Sequence, residues 1–195
     1  MKKTIFNKPG RRSQLGFSLA ELSVYLAIVT ILSVLALAGF KDYVISGRVS
    51  EAASEIQRAG ARLEMNSDGQ GTTPYANLTT AQVCNIMNGD SVIQTVGNGT
   101  GATCTHDLVA FTSGAVIGAP GTVNTAGDSW QIELDGVSSF ACPDLAATMA
   151  KSASIITING TTVLSPTTNN GRFDAGAANS ACTLLDTNTF AFTGL

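Results

Sequence analysis

The sequence is poor in the residues with which enzymes do chemistry. It has a single histidine, His106, and only 13% of its residues are charged. A Ser-His-Asp triad would have to use His106, and no Gly-x-Ser-x-Gly turn is present to expose a nucleophilic serine. The Cys-x-His pair Cys104 and His106 could contribute metal ligands, but a structural zinc site needs four, and disulfides occupy the cysteines more economically. We therefore expect no catalytic site, no metal and no cofactor.

Positive charge is scarce beyond the N-terminus. Residues 1–16 contain five Lys or Arg and no acid, whereas residues 17–195 contain six Lys or Arg against fourteen Asp or Glu. Binding to nucleic acid requires cations that neutralise phosphates, so we predict no nucleic-acid partner. A short basic segment in front of an acidic body is instead typical of a targeting signal.

Cysteines occur only in the C-terminal two thirds of the chain, at Cys84, Cys104, Cys142 and Cys182. Their number is even, and no pair has the Cys-x-x-Cys spacing of a redox or zinc site. In an exported protein this favours two disulfides. Four cysteines allow three pairings, and their spacing alone does not select one.

A long apolar segment follows the basic N-terminus. Residues 17–40 are almost entirely apolar, and Leu22–Phe40 carries no charge, which is enough for one membrane-spanning helix. The cations lie only on its N-terminal side, so that side should face the cytoplasm. A conventional signal peptide would have a shorter apolar core followed by small residues at a cleavage site. The apolar segment here is longer than such a core, so we interpret it as a spanning helix.

The helical pattern continues beyond the apolar segment. Apolar residues recur every three or four positions, which predicts one helix from Phe17 to Met65 with possible weak points at its glycines. This apolar stripe consists of Ile45, Val49, Ala52, Ile56, Ala59 and Leu63, and the glycines are Gly39, Gly47 and Gly60. A second, polar stripe consists of Arg48, Glu51, Glu55, Arg58 and Arg62, and we expect it to face solvent or a neighbouring molecule.

Residues 66–195 predict a mainly β-structured region, so the fold class is α+β. Trp130, Ile132 and Leu134 alternate with polar residues as in a half-buried strand, and Trp130 is expected in the core. The pair Asn159-Gly160 predicts a hairpin turn between strands 155–158 and 161–164. A last strand is expected around Phe190–Phe192.

Two short helices are also expected in this region. Thr79 or Thr80 would cap a helix ending near Asn88, and Pro143 would open another that ends at Met149. Residues 89–107 and 165–181 are rich in Gly, Ser, Thr and Asn, and we interpret them as loops.

The junction between the basic and apolar segments reads Gly16-Phe17-Ser18-Leu19-Ala20-Glu21-Leu22. A carboxylate within a spanning helix costs about 2.5–3.5 kcal/mol on insertion scales, so Glu21 requires a reason. One reason is a position near the headgroups, where its charge favours the helix dipole. Another is a cationic partner in an assembled state.

This junction resembles the processing site of type IV prepilins and of the related pseudopilins. The resemblance implies that a prepilin peptidase removes residues 1–16 by cleaving after Gly16 and methylates the new N-terminal amine of Phe17. It also implies that Glu21 pairs with the Phe17 amine of a neighbouring subunit in a filament. Burial of such a pair is tolerable where burial of a lone carboxylate is not.

The resemblance also implies the fold: a long N-terminal helix packed on an antiparallel sheet, with a disulfide-bounded C-terminal region. Residues 140–145 resemble the start of that region in type IVb pilins, so Cys182 would pair with Cys142. Cys84 would then pair with Cys104, the simplest choice because this disulfide closes a local loop. The lengths of the leader and of the mature chain favour type IVb, whereas a mature N-terminal Phe is commoner in type IVa.

We therefore predict a leader (1–16), an N-terminal helix (17–65) and a globular head (66–195). The helix would comprise a transmembrane and filament-core half (17–40) and an amphipathic half (41–65). The protein would be inserted in the bacterial inner membrane and then polymerise into an extracellular pilus for adhesion, aggregation or conjugation. The resemblance implies as partners other copies of the chain, the prepilin peptidase, an assembly platform with its ATPase, minor pilins and an outer-membrane secretin.

Two alternatives differ from a major pilin. A minor pilin or type II secretion pseudopilin would prime or tip a short filament, although Glu21 favours a major subunit because some tip subunits lack it. A signal-anchored periplasmic enzyme or binding protein would need a catalytic or ligand-binding constellation, and the sequence reveals none.

Overall fold

The computed structural model of the chain describes residues 18–67, 70–109, 112–183 and 185–195. The chain divides into two compact units, Met1–Gly39 and Phe40–Leu195. The predicted leader and Phe17 lie outside the described residues.

The longest element is helix α1, which spans Leu19–Ser67. Every residue of the apolar stripe between Ile45 and Leu63 is at most 4% exposed and belongs to the hydrophobic core of the second unit. The long N-terminal helix predicted from the periodicity is therefore confirmed, as is the face that it buries.

The second unit is built around one antiparallel sheet of seven strands in the order β1-β2-β3-β4-β7-β5-β6. The strands span Ile93–Val96 (β1), Thr103–His106 (β2), Gly114–Thr122 (β3), Ala126–Val137 (β4), Ile155–Ile158 (β5), Thr161–Leu164 (β6) and Asn188–Gly194 (β7). Within the described residues, three further α-helices span Thr80–Ile86 (α2), Cys142–Met149 (α3) and Ala175–Ala181 (α4). The predicted α+β class is confirmed.

The C-terminal strand β7 joins the two parts of the sheet. Phe192 pairs with Ile132 on β4 and with Ile156 on β5, and all three side chains are fully buried. Alternation with polar residues predicted the strand around Ile132, and the turn pair Asn159-Gly160 predicted the strand that contains Ile156. The hairpin β5–β6 turns at Asn159 and Gly160, both with positive φ, as its turn type requires.

Two segments interpreted as loops contain regular structure, and those interpretations were wrong. Residues 89–107 include β1 and β2, which are only four residues long and carry polar side chains such as Gln94 and Thr105. Such strands form because they pair with each other and with β3, not because of their own hydrophobic pattern. Residues 165–181 include α4, whose N-cap Asp174 accepts a hydrogen bond from the Ala177 N–H.

The close approach of α1 to the sheet depends on Gly60. The indole of Trp130, 3% exposed, lies against this glycine, and a Cβ there would lie 2.5 Å from Cζ2 of the ring. Gly194 on β7 also lies against the same indole. Gly60 is therefore a packing position, whereas nothing lies within 4 Å of a Cβ built on Gly47.

Candidate assembly site

The first turn of α1 contains the glutamate that the sequence analysis singled out. The Ser18 N–H donates to Glu21 Oε2 at 3.0 Å, and the Glu21 N–H donates to Ser18 Oγ at 3.2 Å. This reciprocal arrangement is a capping box, which satisfies two N–H groups that the first turn leaves without helical partners. The Ser-x-x-Glu pattern was readable in the sequence and was overlooked.

The helix that follows Glu21 presents apolar side chains to its surroundings. Residues Leu19–Ala36 have a mean hydropathy of 2.2, and by length and composition this segment can cross a membrane. All its side chains are exposed. An apolar surface of this size is not stable in water, so it requires lipid or other protein around it.

Most of the polar stripe of α1 faces solvent as expected, with Glu51, Arg58 and Arg62 exposed, but Glu55 does not. Glu55 is only 1% exposed. Its Oε1 accepts the N–H groups of Ser91 and Val92 at 2.8 and 3.0 Å, and its Oε2 accepts the N–H of Ile93 at 2.8 Å. A single carboxylate therefore holds the start of β1 against α1.

The arginines of the same stripe reinforce this attachment. Arg58 pairs with Asp90 at 3.1 Å, and Arg62 donates to the backbone carbonyl of Ile86 at the end of α2. Burial raises the pKa of Asp90, as does the nearby charge of Glu55, while Arg58 and Arg62 act in the opposite direction. Sequence reasoning missed the contacts of Glu55 because its partners are backbone N–H groups, which leave no pattern in the sequence.

Two disulfides link elements of the second unit. Cys142, the first residue of α3, is bonded to Cys182 directly after α4, which confirms the C-terminal disulfide. Cys84 on α2 is bonded to Cys104 on β2. No cysteine among the described residues is free. The two disulfides tie helices to segments with little hydrophobic pattern of their own.

The histidine serves packing in this structure. His106 is fully buried, with Nε2 3.0 Å from the carbonyl oxygen of Asp135 and Nδ1 accepting the Leu108 N–H at 3.2 Å. Both ring nitrogens thus have backbone partners, and burial lowers the pKa of the imidazole. Among the described residues no group of three or more His, Cys, Asp or Glu is placed to hold a metal ion.

Comparison with known proteins gives the family of the chain. The family model described as PilS N terminal matches residues 48–195. The chain belongs to the PilS family of type IV pilins. This pilin is 30% identical over 132 residues to the fimbrial protein EcpC of Eikenella corrodens, an alignment that covers 62% of the pilin and 83% of the relative.

A solved structure can also be compared with the chain. A type IVb pilin from Salmonella typhi is 21% identical and superposes with a TM-score of 0.49 over 73% of this chain and 96% of the other.

Membership of the family indicates the general role of this pilin. Pilins are structural subunits that assemble with copies of themselves into a filament, and membership of the family points to a structural protein. The family match begins at Arg48, so it does not include Gly16, Phe17 or Glu21.

Proposed function

We propose that this pilin is made as a prepilin in the bacterial inner membrane, is cleaved after Gly16, is methylated at Phe17 and polymerises into an extracellular type IV pilus. Supporting this are the family match and the Gly16-Phe17 junction immediately before the apolar segment Leu19–Ala36. In this proposal residues 1–16 are the leader, 17–65 the assembly helix and 66–195 the head. The partners are the peptidase, the platform and ATPase, minor pilins and the secretin.

The observation that carries the proposal is Glu21 in the first turn of an exposed apolar helix. A carboxylate has about four acceptor sites, and the Ser18 N–H occupies only one of them. The same group can therefore cap its own helix and still accept the Phe17 amine of a neighbouring subunit. When helices pack in a filament core, each such pair neutralises two charges that would otherwise be buried alone.

The cleavage proposal is tested on filaments sheared from cells. Intact mass and N-terminal sequencing should report a chain that begins with methylated Phe17. A Gly16→Val variant should accumulate as full-length protein in the membrane, since a side chain at that position obstructs the peptidase. Sheared filaments whose subunits retain Leu15 would refute the proposed processing.

The capping box provides a way to separate the charge of Glu21 from its role in the helix. Glu21→Gln retains a side chain suited to the capping box but removes the negative charge. Ser18→Ala removes the hydroxyl that caps the Glu21 N–H but leaves the carboxylate. We expect Glu21→Gln to abolish most pilus assembly and Ser18→Ala to assemble.

The measurement is the yield of sheared pili relative to total membrane-bound pilin, with formation of both disulfides as the folding control. Stranding a buried charge costs about 3–5 kcal/mol, which is ample to prevent assembly. Co-expressed wild-type subunits should partly rescue Glu21→Gln, because each contact uses one group from each of two chains. Normal assembly of Glu21→Gln alone would mean that the charge has no partner in the filament.

A further inference from the structure

A cavity of about 410 Å³ lies in the second unit, between the C-terminal end of α1, residues 70–78 and helix α2. Its described lining contains five carboxamide side chains and no charged residue. The carboxamides are Asn66, Gln70, Asn77, Gln82 and Asn85. A cavity of this size is in the range of small-molecule sites, and such a concentration of neutral donors and acceptors restricts the chemistry of an occupant.

Three of these carboxamides are held at one end. Gln82 Oε1 accepts the Thr79 N–H at 2.9 Å, and Asn85 Nδ2 donates to the Gly99 carbonyl at 2.8 Å. Gln70 Nε2 donates to the backbone carbonyl four residues earlier, also at 2.8 Å. A carboxamide fixed through one atom has the other atom placed in a defined direction. These contacts therefore preorganise one further donor, on Gln82, and two further acceptors, on Asn85 and Gln70.

Tyr75, which lies between α1 and α2, is also held in place by hydrogen bonds. The Tyr75 N–H donates to the Gly127 carbonyl on β4 at 3.0 Å, and the hydroxyls of Tyr75 and Ser67 lie 2.8 Å apart. Tyr75 is only 5% exposed. Leu63 and Leu78 supply apolar surface to the same cavity. The cavity thus combines fixed polar groups with an apolar wall, and it needs no large rearrangement to form.

We propose that this cavity binds a neutral saccharide. A sugar hydroxyl both donates and accepts, so it can satisfy the amide donor and the two carboxamide acceptors, and the C–H face of the ring suits the apolar wall. A neutral sugar has no charge that would need a counter-ion, and the described part of the lining offers none. The inference does not depend on the proposed assembly, because it concerns the head of a single chain.

The test uses the full-length chain solubilised in detergent, so a failure of assembly does not affect it. Saturation-transfer NMR would measure binding of glucose and galactose, each compared with its uronate, in which a carboxylate replaces the C6 hydroxymethyl group. We expect at least one neutral sugar to bind saturably and its uronate to bind more weakly. If neither neutral sugar binds saturably, or if the uronates bind equally well, the proposal is overturned.

Two variants locate the site. Asn77→Ala and Gln70→Ala each remove a lining carboxamide, and each should weaken binding about tenfold, as expected for one hydrogen bond to the ligand. The matched control is Asn179→Ala, an exposed carboxamide on α4 outside the cavity lining, which should bind as the wild type does. Trp130 fluorescence checks that each variant is folded. Binding that neither cavity variant weakens would place the sugar elsewhere and overturn the proposal.

Discussion

Replacement of Glu55 by alanine removes the carboxylate that joins α1 to the start of β1. Three backbone N–H groups, those of Ser91, Val92 and Ile93, lose their acceptor at once. Ser91 is exposed, so water can replace its partner, but Val92 and Ile93 are 3% and 0% exposed. The cost of this substitution therefore comes mainly from two buried donors.

The expected magnitude follows from those two donors. A buried donor left without a partner costs about 1–3 kcal/mol, which sets a range of about 2–6 kcal/mol for the pair. Two effects reduce it: the buried carboxylate no longer has to be desolvated, and alanine has a slightly higher helix propensity than glutamate. We expect Glu55→Ala to lower the free energy of unfolding by about 2–4 kcal/mol.

Glu51→Ala provides the matched control. Glu51 lies one turn earlier on the same helix, is exposed, and accepts a single hydrogen bond, from the Ser91 hydroxyl. Its loss should cost less than about 1 kcal/mol, as is usual for surface substitutions. Comparison of the two variants therefore separates the effect of the buried acceptor from that of removing one negative charge from α1.

Chemical denaturation of the detergent-solubilised chain would be followed by the fluorescence of Trp130, the only tryptophan. Hydrogen exchange supplies a local measurement, since the amides of Val92 and Ile93 should lose protection in Glu55→Ala and keep it in Glu51→Ala. Equal stabilities of the two variants, with unchanged protection at Val92 and Ile93, would refute the reasoning.

Two further predictions concern packing and pH. Gly47→Ala should stabilise the protein by up to about 1 kcal/mol through helix propensity. Gly60→Ala should be less stable than Gly47→Ala by about 1–3 kcal/mol, because its Cβ would meet the Trp130 ring. Equal unfolding midpoints of the two variants would contradict this. His106 should titrate below 6.5, so its contribution to stability is full above that pH and is lost as the pH falls through the lowered folded-state pKa. As the only histidine, it gives one imidazole NMR signal from which the pKa is read, and a value at or above 6.5 would contradict the buried neutral ring.

Much of the fold followed from local patterns. The apolar stripe from Ile45 to Leu63 predicted the buried face of α1, and the alternation around Trp130 predicted the centre of β4. The hairpin at Asn159-Gly160 was predicted with the same strand limits that the structure has, because this turn type restricts the backbone at two adjacent residues. The junction at Gly16, together with Glu21, identified the family before any fold was known.

The sequence by itself therefore determined the apolar helix, the core strands and the motif at the start of the helix, since each depends on residues close together in the chain. Only the tertiary structure decided that β1 and β2 are strands, because their stability comes from pairing with distant residues. The tertiary structure also decided that Glu55 is buried. A charged residue on a helix is normally solvated, and Glu55 is buried only because backbone N–H groups of another element bind its carboxylate. The sequence shows which side chains are present. Almost every residue has a backbone N–H group, however, so the sequence does not show which of these groups a side chain such as Glu55 binds.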